Sequence, residues 1–282
     1  MNTVTLNNGV TMPLIGFGVF QVEDTQTQRV VEAAIAAGYR LIDTAASYGN
    51  EKAVGAAIAA SGVPRDELFV TTKLWIQDHP AETNTARAFD RSLHALGLDY
   101  VDLYVIHQPY GDYYGEWRGL QQINRDGSAR AIGVSNFAPG QLVDLILNND
   151  IVPALNQIET HPFKQNRDYQ QLVRSEGVQI ESWGPFAEGR NSLFTNEVLT
   201  TIGNAHNRSV AQVVLRWMVQ RQIVVIPKTV NPDRMAQNLA IFDFVLTDNE
   251  MDRITELETG QSQFFDHADP EAVRRLNARR LG

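Results

Sequence analysis

The sequence contains no cysteine, which excludes a disulfide framework and any thiolate metal site. Its six histidines show neither an HExxH run nor any paired ligand spacing, so no metal is expected. No uninterrupted apolar stretch approaches the ~20 residues that span a bilayer, and no basic flank precedes an apolar core near Met1. A cytoplasmic protein without a membrane partner is therefore expected. Positive charge is also scarce. The 24 Lys and Arg stand against 33 Asp and Glu, a formal net charge of −9, which argues against nucleic acid or an anionic membrane as a general partner. An anionic cofactor stays open, because local basic residues decide that question.

Two phosphate-binding signatures are missing as well. Gly16-Phe17-Gly18 lacks the third glycine of the dinucleotide fingerprint, and no GxxxxGK[ST] run occurs. Asn207-Arg208-Ser209 matches a glycosylation sequon, but in the absence of a secretion signal it reads as Ser209 capping a helix, with Gln212 three residues on.

What the sequence does contain is an alternation. Strand-like apolar runs recur every 25 to 40 residues or so, separated by segments of helical period, the pattern of a parallel α/β sheet. Eight such runs end near Gly18, Asp43, Lys73, His107, Ser135, Glu159, Trp183 and Lys228. Helices are predicted over Thr25–Ala37, Asn50–Ala60, Ala81–Leu96, Gly115–Asp126, Pro139–Asn148, Asp168–Glu176, Ser209–Arg221 and Pro232–Ile241. Eight strands each followed by a helix close into a (β/α)8 TIM barrel, whereas an open doubly wound sheet has fewer strands and a glycine-rich first turn. Two additions flank the repeat. Thr3–Leu14, with Asn8-Gly9 at its centre, reads as a β-hairpin covering the barrel floor. A C-terminal tail begins with a helix, Asp248–Glu258, and ends in a polar stretch containing Phe264 and Phe265. No linker rich in Pro, Gly or Ser appears, so residues 1–282 read as a single domain.

Four of the runs end in, or lead into, a reactive side chain: Asp43 and Tyr48 in LIDTAASYGNE, Lys73 in LFVTTKLW, His107 in DLYVIHQP. The C-terminal ends of barrel strands form the active-site face. A tyrosine hydroxyl, with a pKa of about 10, is a poor acid at neutral pH. A unit charge ~4 Å away is worth about 4 kcal/mol at an effective dielectric near 20, so Lys73 is expected to lower the pKa of Tyr48 by a few units at most. Asp43 would keep the buried ammonium charged, and His107 would be a second donor aimed at a substrate oxygen. This is a constellation for carbonyl chemistry.

These residues, together with GFGVF (Gly16 to Phe20), Thr72-Lys73-Leu74-Trp75, Gly133-Val134-Ser135-Asn136-Phe137, Asn156-Gln157, Trp183-Gly184-Pro185 and Ile226-Pro227-Lys228-Thr229 followed by Arg234 and Asn238, make the chain resemble an aldo-keto reductase from about Val10 to about Phe265. The short loops and the Trp183 motif resemble the small bacterial members, including the 2,5-diketogluconate reductase-like group. The resemblance implies NADPH-dependent reduction of aldehydes and ketones by direct hydride transfer, with Tyr48 as general acid, Lys73 and Asp43 as its electrostatic support and His107 as carbonyl orienter. It also implies a monomer. Ser135, Asn136 and Gln157 correspond to the groups that hold the nicotinamide carboxamide, and Trp183 to the ring stacked on the nicotinamide. Lys228, Thr229 and Arg234 resemble a clamp for the 2′-phosphate, with the amides at the start of the helix at Pro232 facing the same region, and Gln237 and Asn238 meet the adenine. Phe20, Trp75, Gln108, Phe264 and Phe265 line the substrate pocket.

Two positions depart from the family pattern. Gly184 stands where many relatives have serine, and Gln108 where many have an apolar aromatic. An amide at 108 adds two donors and an acceptor to an apolar cup, which favours small polar or dicarbonyl substrates. The remaining histidines are weaker candidates: His79 and His94 lie in or before a helix pattern, His161 precedes Pro162, His206 sits at a surface helix end, and His267 reads as a solvated tail residue. Two rival readings remain. A barrel glycosidase would use Glu159 and Glu181, and a regulatory subunit would bind the nucleotide without turnover.

Overall fold

The computed structural model describes residues 2–76 and 82–280, so His79 and the expected helix start at Ala81 lie outside the described residues. The hairpin expected at Asn8-Gly9 is present: β1 (Thr3–Thr5) pairs antiparallel with β2 (Thr11–Pro13). Gly9 closes the turn at φ +86°, a conformation that glycine adopts without a Cβ clash. Asn7 and Asn8 pin the hairpin beneath the barrel. Their amides donate to Pro153 O (3.0 Å) and Arg130 O (2.9 Å), near the starts of two barrel strands.

The barrel strands are β3 (Phe17–Gly18), β4 (Leu41–Asp43), β5 (Phe69–Leu74), β6 (Val101–Ile106), β7 (Ala129–Ser135), β8 (Leu155–Glu159), β9 (Gln179–Trp183) and β10 (Val224–Val225). They pair in parallel and in chain order. The ends of the sheet meet where Val225 N donates to Leu14 O (3.0 Å) and Gly16 N to Val225 O (2.8 Å). That closure makes a (β/α)8 barrel and leaves no open edge. Gly18 permits it, since a Cβ there would stand 2.9 Å from Ile226 O. Every residue of β5 and β6 is buried, because one side of each strand fills the barrel and the other meets a helix.

The helices are α1 (Asp24–Ala37), α2 (Glu51–Ala60), α3 (Glu82–Leu96), α4 (Tyr113–Arg125), α5 (Pro139–Leu147), α6 (Arg167–Ser175), α7 (Glu197–His206), α8 (Val210–Gln220), α9 (Pro232–Leu239), α10 (Asp248–Thr255) and α11 (Pro270–Ala278). The sequon serine does cap α8: Ser209 Oγ accepts from Gln212 N, and Gln212 Oε1 accepts from Ser209 N at 3.0 Å. Among the described residues, no helix is long and apolar enough to cross a membrane.

Three expectations need correction. The last strand stops at Val225 rather than near Lys228, since Pro227 has no N–H to continue a ladder. Helix α7 was not anticipated between the seventh and eighth strands. The tail after Phe265 is helical, with Pro270 in the first turn and Asp269 accepting from Glu271 N. Ala272, Val273 and Leu276 give α11 a short apolar stripe, of which only Ala272 is buried.

Candidate active site

A cavity of about 700 Å³ opens at the C-terminal ends of the strands. Asp43 ends β4, Lys73 lies one residue before the end of β5, and His107 follows β6 directly. Tyr48 closes a single 3₁₀ turn, Ala46–Tyr48, which Gly49 terminates at φ +72°. Lys73 is fully buried and its three donors are spent: Nζ donates to Asp43 Oδ1 (2.6 Å), Thr44 O (2.9 Å) and Tyr48 Oη (3.4 Å). Because the Tyr48 oxygen accepts from Lys73, its own hydrogen points elsewhere, and Tyr48 lines the cavity.

The electrostatics modify the expectation for Tyr48. Burial raises its pKa and Lys73 lowers it, with burial the larger effect, so the hydroxyl stays above the ordinary tyrosine range. The lysine acts in the expected direction but does not win, since Asp43 neutralises much of its field and adds to the rise. Burial also opposes the charge on Lys73, but Asp43 and Tyr48 together outweigh it and hold the ammonium above its usual range. Asp43 itself is pushed up by burial against the pull of Lys73.

His107 is held well below the ordinary imidazole range by burial, then by Lys73 and Arg279. It is therefore neutral and has one N–H to give. Ser47 Oγ lies 3.3 Å from Nδ1, and a hydroxyl donating there leaves the proton on Nε2. The ring stands edge-on to Tyr48 and Trp75, at centroid distances of 5.7 and 5.2 Å.

Beside this group runs a polar chain. Trp183 Nε1 donates to Asn136 Oδ1 (2.8 Å), and Asn136 Nδ2 donates to Ser135 Oγ (3.0 Å) and His107 O (3.2 Å). Asn136 holds φ +63°, a left-handed conformation that asparagine tolerates. Ser135 Oγ donates to Gln157 O (2.8 Å). Trp183, Asn136, Ser135 and Gln157 all line the cavity.

Lys228 and Arg234 are exposed at its mouth, and neither has an ion pair among the described residues. Thr229, Gln237 and Asn238 do not line it. Asn238 is buried beside Tyr39, Gln237 lies in a shallow depression with Arg208 and Gln212, and Thr229 Oγ1 accepts from Asn231 N. The expectation that the α9 amides face an anion needs correction. Asp233 N and Arg234 N both donate to the capping Asn231 Oδ1, and Pro232 has no N–H.

The five pocket candidates come together at one cavity. Phe20, Trp75, Gln108, Phe264 and Phe265 all line the cavity. Gln108 is 7% exposed, and its Oε1 has no partner among the described residues. The sequence reading missed Ser47 and Arg279, which lie in the same wall. Arg279 donates to Ser47 O (2.7 Å), and its own carbonyl accepts from Trp75 Nε1 (3.0 Å). His267 is likewise not a solvated tail residue. It lines the cavity, its carbonyl accepts from Tyr110 Oη (2.8 Å), and burial holds its imidazole down at about 4. Tail side chains that depend on tertiary anchoring leave no period in the sequence.

The carboxylates of the glycosidase reading do not face a common space. Glu159 accepts from Ser262 Oγ (2.6 Å), Gln263 N (2.8 Å) and His161 Nε2 (2.8 Å), and Glu181 lies beneath Gln157. Neither lines the cavity.

The family model for the aldo/keto reductase family matches residues 14–259. Among curated relatives, a morphine 6-dehydrogenase of Pseudomonas putida is 48% identical over 271 residues, covering 91% of each chain. A glyoxal reductase of Bacillus subtilis is 48% identical over 258 residues, covering 91% of this chain and 92% of its own. Among solved structures, a Bombyx mori aldo-keto reductase in complex with NADP superposes with a TM-score of 0.88 at 36% identity, covering 97% of this chain and 96% of its own. With a family model spanning most of the barrel, two relatives near half identity and a matching fold, this chain belongs to the aldo/keto reductase family.

Proposed function

We propose that the protein reduces small polar or dicarbonyl aldehydes and ketones to alcohols with NADPH, Tyr48 supplying the proton. The observation that carries this reading is the buried triad in which Lys73 Nζ is shared by Asp43, Thr44 O and Tyr48 Oη. It leaves the tyrosine hydrogen as the one proton in the group that is free to go to a ligand.

The residues present fit a nicotinamide dinucleotide phosphate. Trp183 offers an aromatic face fixed by Asn136, the Ser135–Asn136–Gln157 chain offers polar groups beside it, and Lys228 and Arg234 offer two unpaired cations at the mouth. A guanidinium and an ammonium together suit a phosphate of roughly two charges. The solved Bombyx mori relative is an NADP complex, which supports the same assignment. When bound, such a nucleotide supplies a hydride to the carbonyl carbon.

The chain's own residues do the rest. His107, neutral and held by Ser47, donates an N–H to the substrate oxygen and orients it. Tyr48 donates its proton to that oxygen as negative charge develops there. The Lys73 ammonium, kept charged by Asp43, then stabilises the tyrosinate that remains. Burial of this group excludes water and strengthens each of these interactions. The unpartnered Gln108 Oε1 asks for a donor, which a hydroxylated or hydrated polar substrate provides and an apolar aldehyde does not. The named activity of the glyoxal reductase relative agrees with a dicarbonyl substrate.

The test is NADPH oxidation with methylglyoxal, a diketo sugar acid and a nitrobenzaldehyde, for wild type and Tyr48→Phe. Loss of a general acid costs on the order of 10²–10⁴ in rate, with NADPH binding retained. Nucleotide binding without turnover on any of these would replace the reductase reading with a nucleotide-binding subunit.

A further inference from the structure

Glu181 is a buried ionisable group that the mechanism above does not use. It lies in β9, fully inaccessible, and its Oε1 has no hydrogen-bond partner among the described residues. Its Oε2 accepts from Gln157 Nε2 at 2.7 Å, and the same Nε2 donates to Asp43 Oδ2 at 3.0 Å. A glutamine amide carries two N–H donors on one side and one acceptor oxygen on the other. Both donors of Gln157 are therefore spent downward, on one acceptor of the tetrad and one beneath it. The atom that Gln157 retains for the cavity it lines is Oε1.

We propose that Glu181 is a positioning residue: with Asp43 it fixes the orientation of the Gln157 amide, so that a carbonyl oxygen and not an amine is presented to the carboxamide N–H of the nicotinamide. This inference rests on the nucleotide reading above. Turning the amide over would set Oε1 against Asp43 Oδ2, two acceptors at 3.0 Å between buried side chains. Asp43 penalises the wrong orientation, and Glu181 rewards the right one by taking the second N–H. Burial, and then Asp43, push the Glu181 carboxyl up to about 8. Glutamine keeps an acceptor oxygen at this position, whereas methionine keeps the volume but removes the acceptor.

The purely structural alternative predicts something different. A buried carboxyl with one oxygen unpartnered is a liability, so Glu181→Met should leave thermal stability unchanged or raise it. Two ligands separate the roles: NADP+, and adenosine 2′,5′-bisphosphate, which lacks the nicotinamide. With Glu181→Met, the Kd for NADP+ should rise roughly tenfold, as for a hydrogen bond lost or misaligned. The Kd for the bisphosphate should stay within about twofold, and Glu181→Gln should bind both nearly as wild type does. In a Gln157→Ala background, Glu181→Met should add almost nothing, because a residue acting through Gln157 has nothing left to act on. If the methionine variant does not fold, Glu181→Ala is read the same way.

The inference is overturned if both ligands weaken together, if the effects of Glu181→Met and Gln157→Ala multiply, or if Glu181→Met binds NADP+ as wild type does. Wild-type protein that binds the bisphosphate and NADP+ equally would overturn it too, since the nicotinamide would then make no contact to orient. Wild-type protein that binds neither removes the nucleotide reading itself, and the inference with it.

Discussion

Phe264 packs its ring on Trp183, with centroids 5.0 Å apart, and a Cβ at Gly184 would lie 3.1 Å from the edge of that ring. The departure from serine at 184 thus has a local reason. The space of a side chain at 184 is taken by an aromatic from the tail, and Gly184 holds φ +61°. A serine there would adopt a left-handed backbone at a cost of about 1–3 kcal/mol and push Phe264 aside. Gly184→Ser should lower the unfolding midpoint and speed proteolysis after Glu258; an unchanged midpoint and cleavage rate would refute the packing account.

The strap that carries Phe264 is clamped by one carboxylate. Glu159 accepts from Ser262 Oγ, Gln263 N and His161 Nε2. Burial opposes its charge, but these donors and Lys164 outweigh burial and hold the carboxyl below its usual value of 4.5. A depressed acid contributes stability that is present above the unfolded pKa and lost as pH falls through the folded one. Tryptophan fluorescence, which senses Trp183 under Phe264, should therefore change in an acid step below about pH 4.5. Glu159→Gln sets an amine against a donor, so it should shift the fluorescence already at neutral pH and abolish the step.

Gln108 sets selectivity if its idle Oε1 meets a substrate donor. Gln108→Leu should reduce kcat/KM for hydroxylated substrates by about tenfold relative to a nitrobenzaldehyde, the equivalent of ~1.4 kcal/mol. Equal changes across the panel would show that the amide reads nothing.

Arg234 is exposed and without an ion pair among the described residues, which fits a cation kept for a phosphate. Arg234→Ala should weaken NADPH by roughly 10- to 100-fold, the loss of ~1.5–3 kcal/mol from a charged hydrogen bond, and leave NADH nearly unaffected. Titration of both nucleotides checks this, and parallel losses would remove the 2′-phosphate assignment.

The barrel and its reactive face were legible in the chain because both depend on local order. Asp43, Lys73 and His107 sit at or next to strand ends, and the ends of apolar runs are visible one run at a time. Residues whose role depends on long-range partners were legible only in part. Lys228 and Arg234 reach the cavity mouth as expected, but the α9 amides are already taken by Asn231, a local capping that competes with any ligand.

By itself the sequence determined which segments become the barrel strands, that there are eight of these, and which ionisable side chains stand at their ends, because side-chain period and chain order carry that information. Tertiary structure alone decided the balance of forces and the walls. Burial outweighs Lys73 at Tyr48, Gln157 spends both N–H groups on Asp43 and Glu181, and the tail brings His267 and Arg279 into the cavity wall. Desolvation and shared hydrogen bonds depend on which atoms surround a group, and those atoms come from different strands and from a tail as much as 232 residues away.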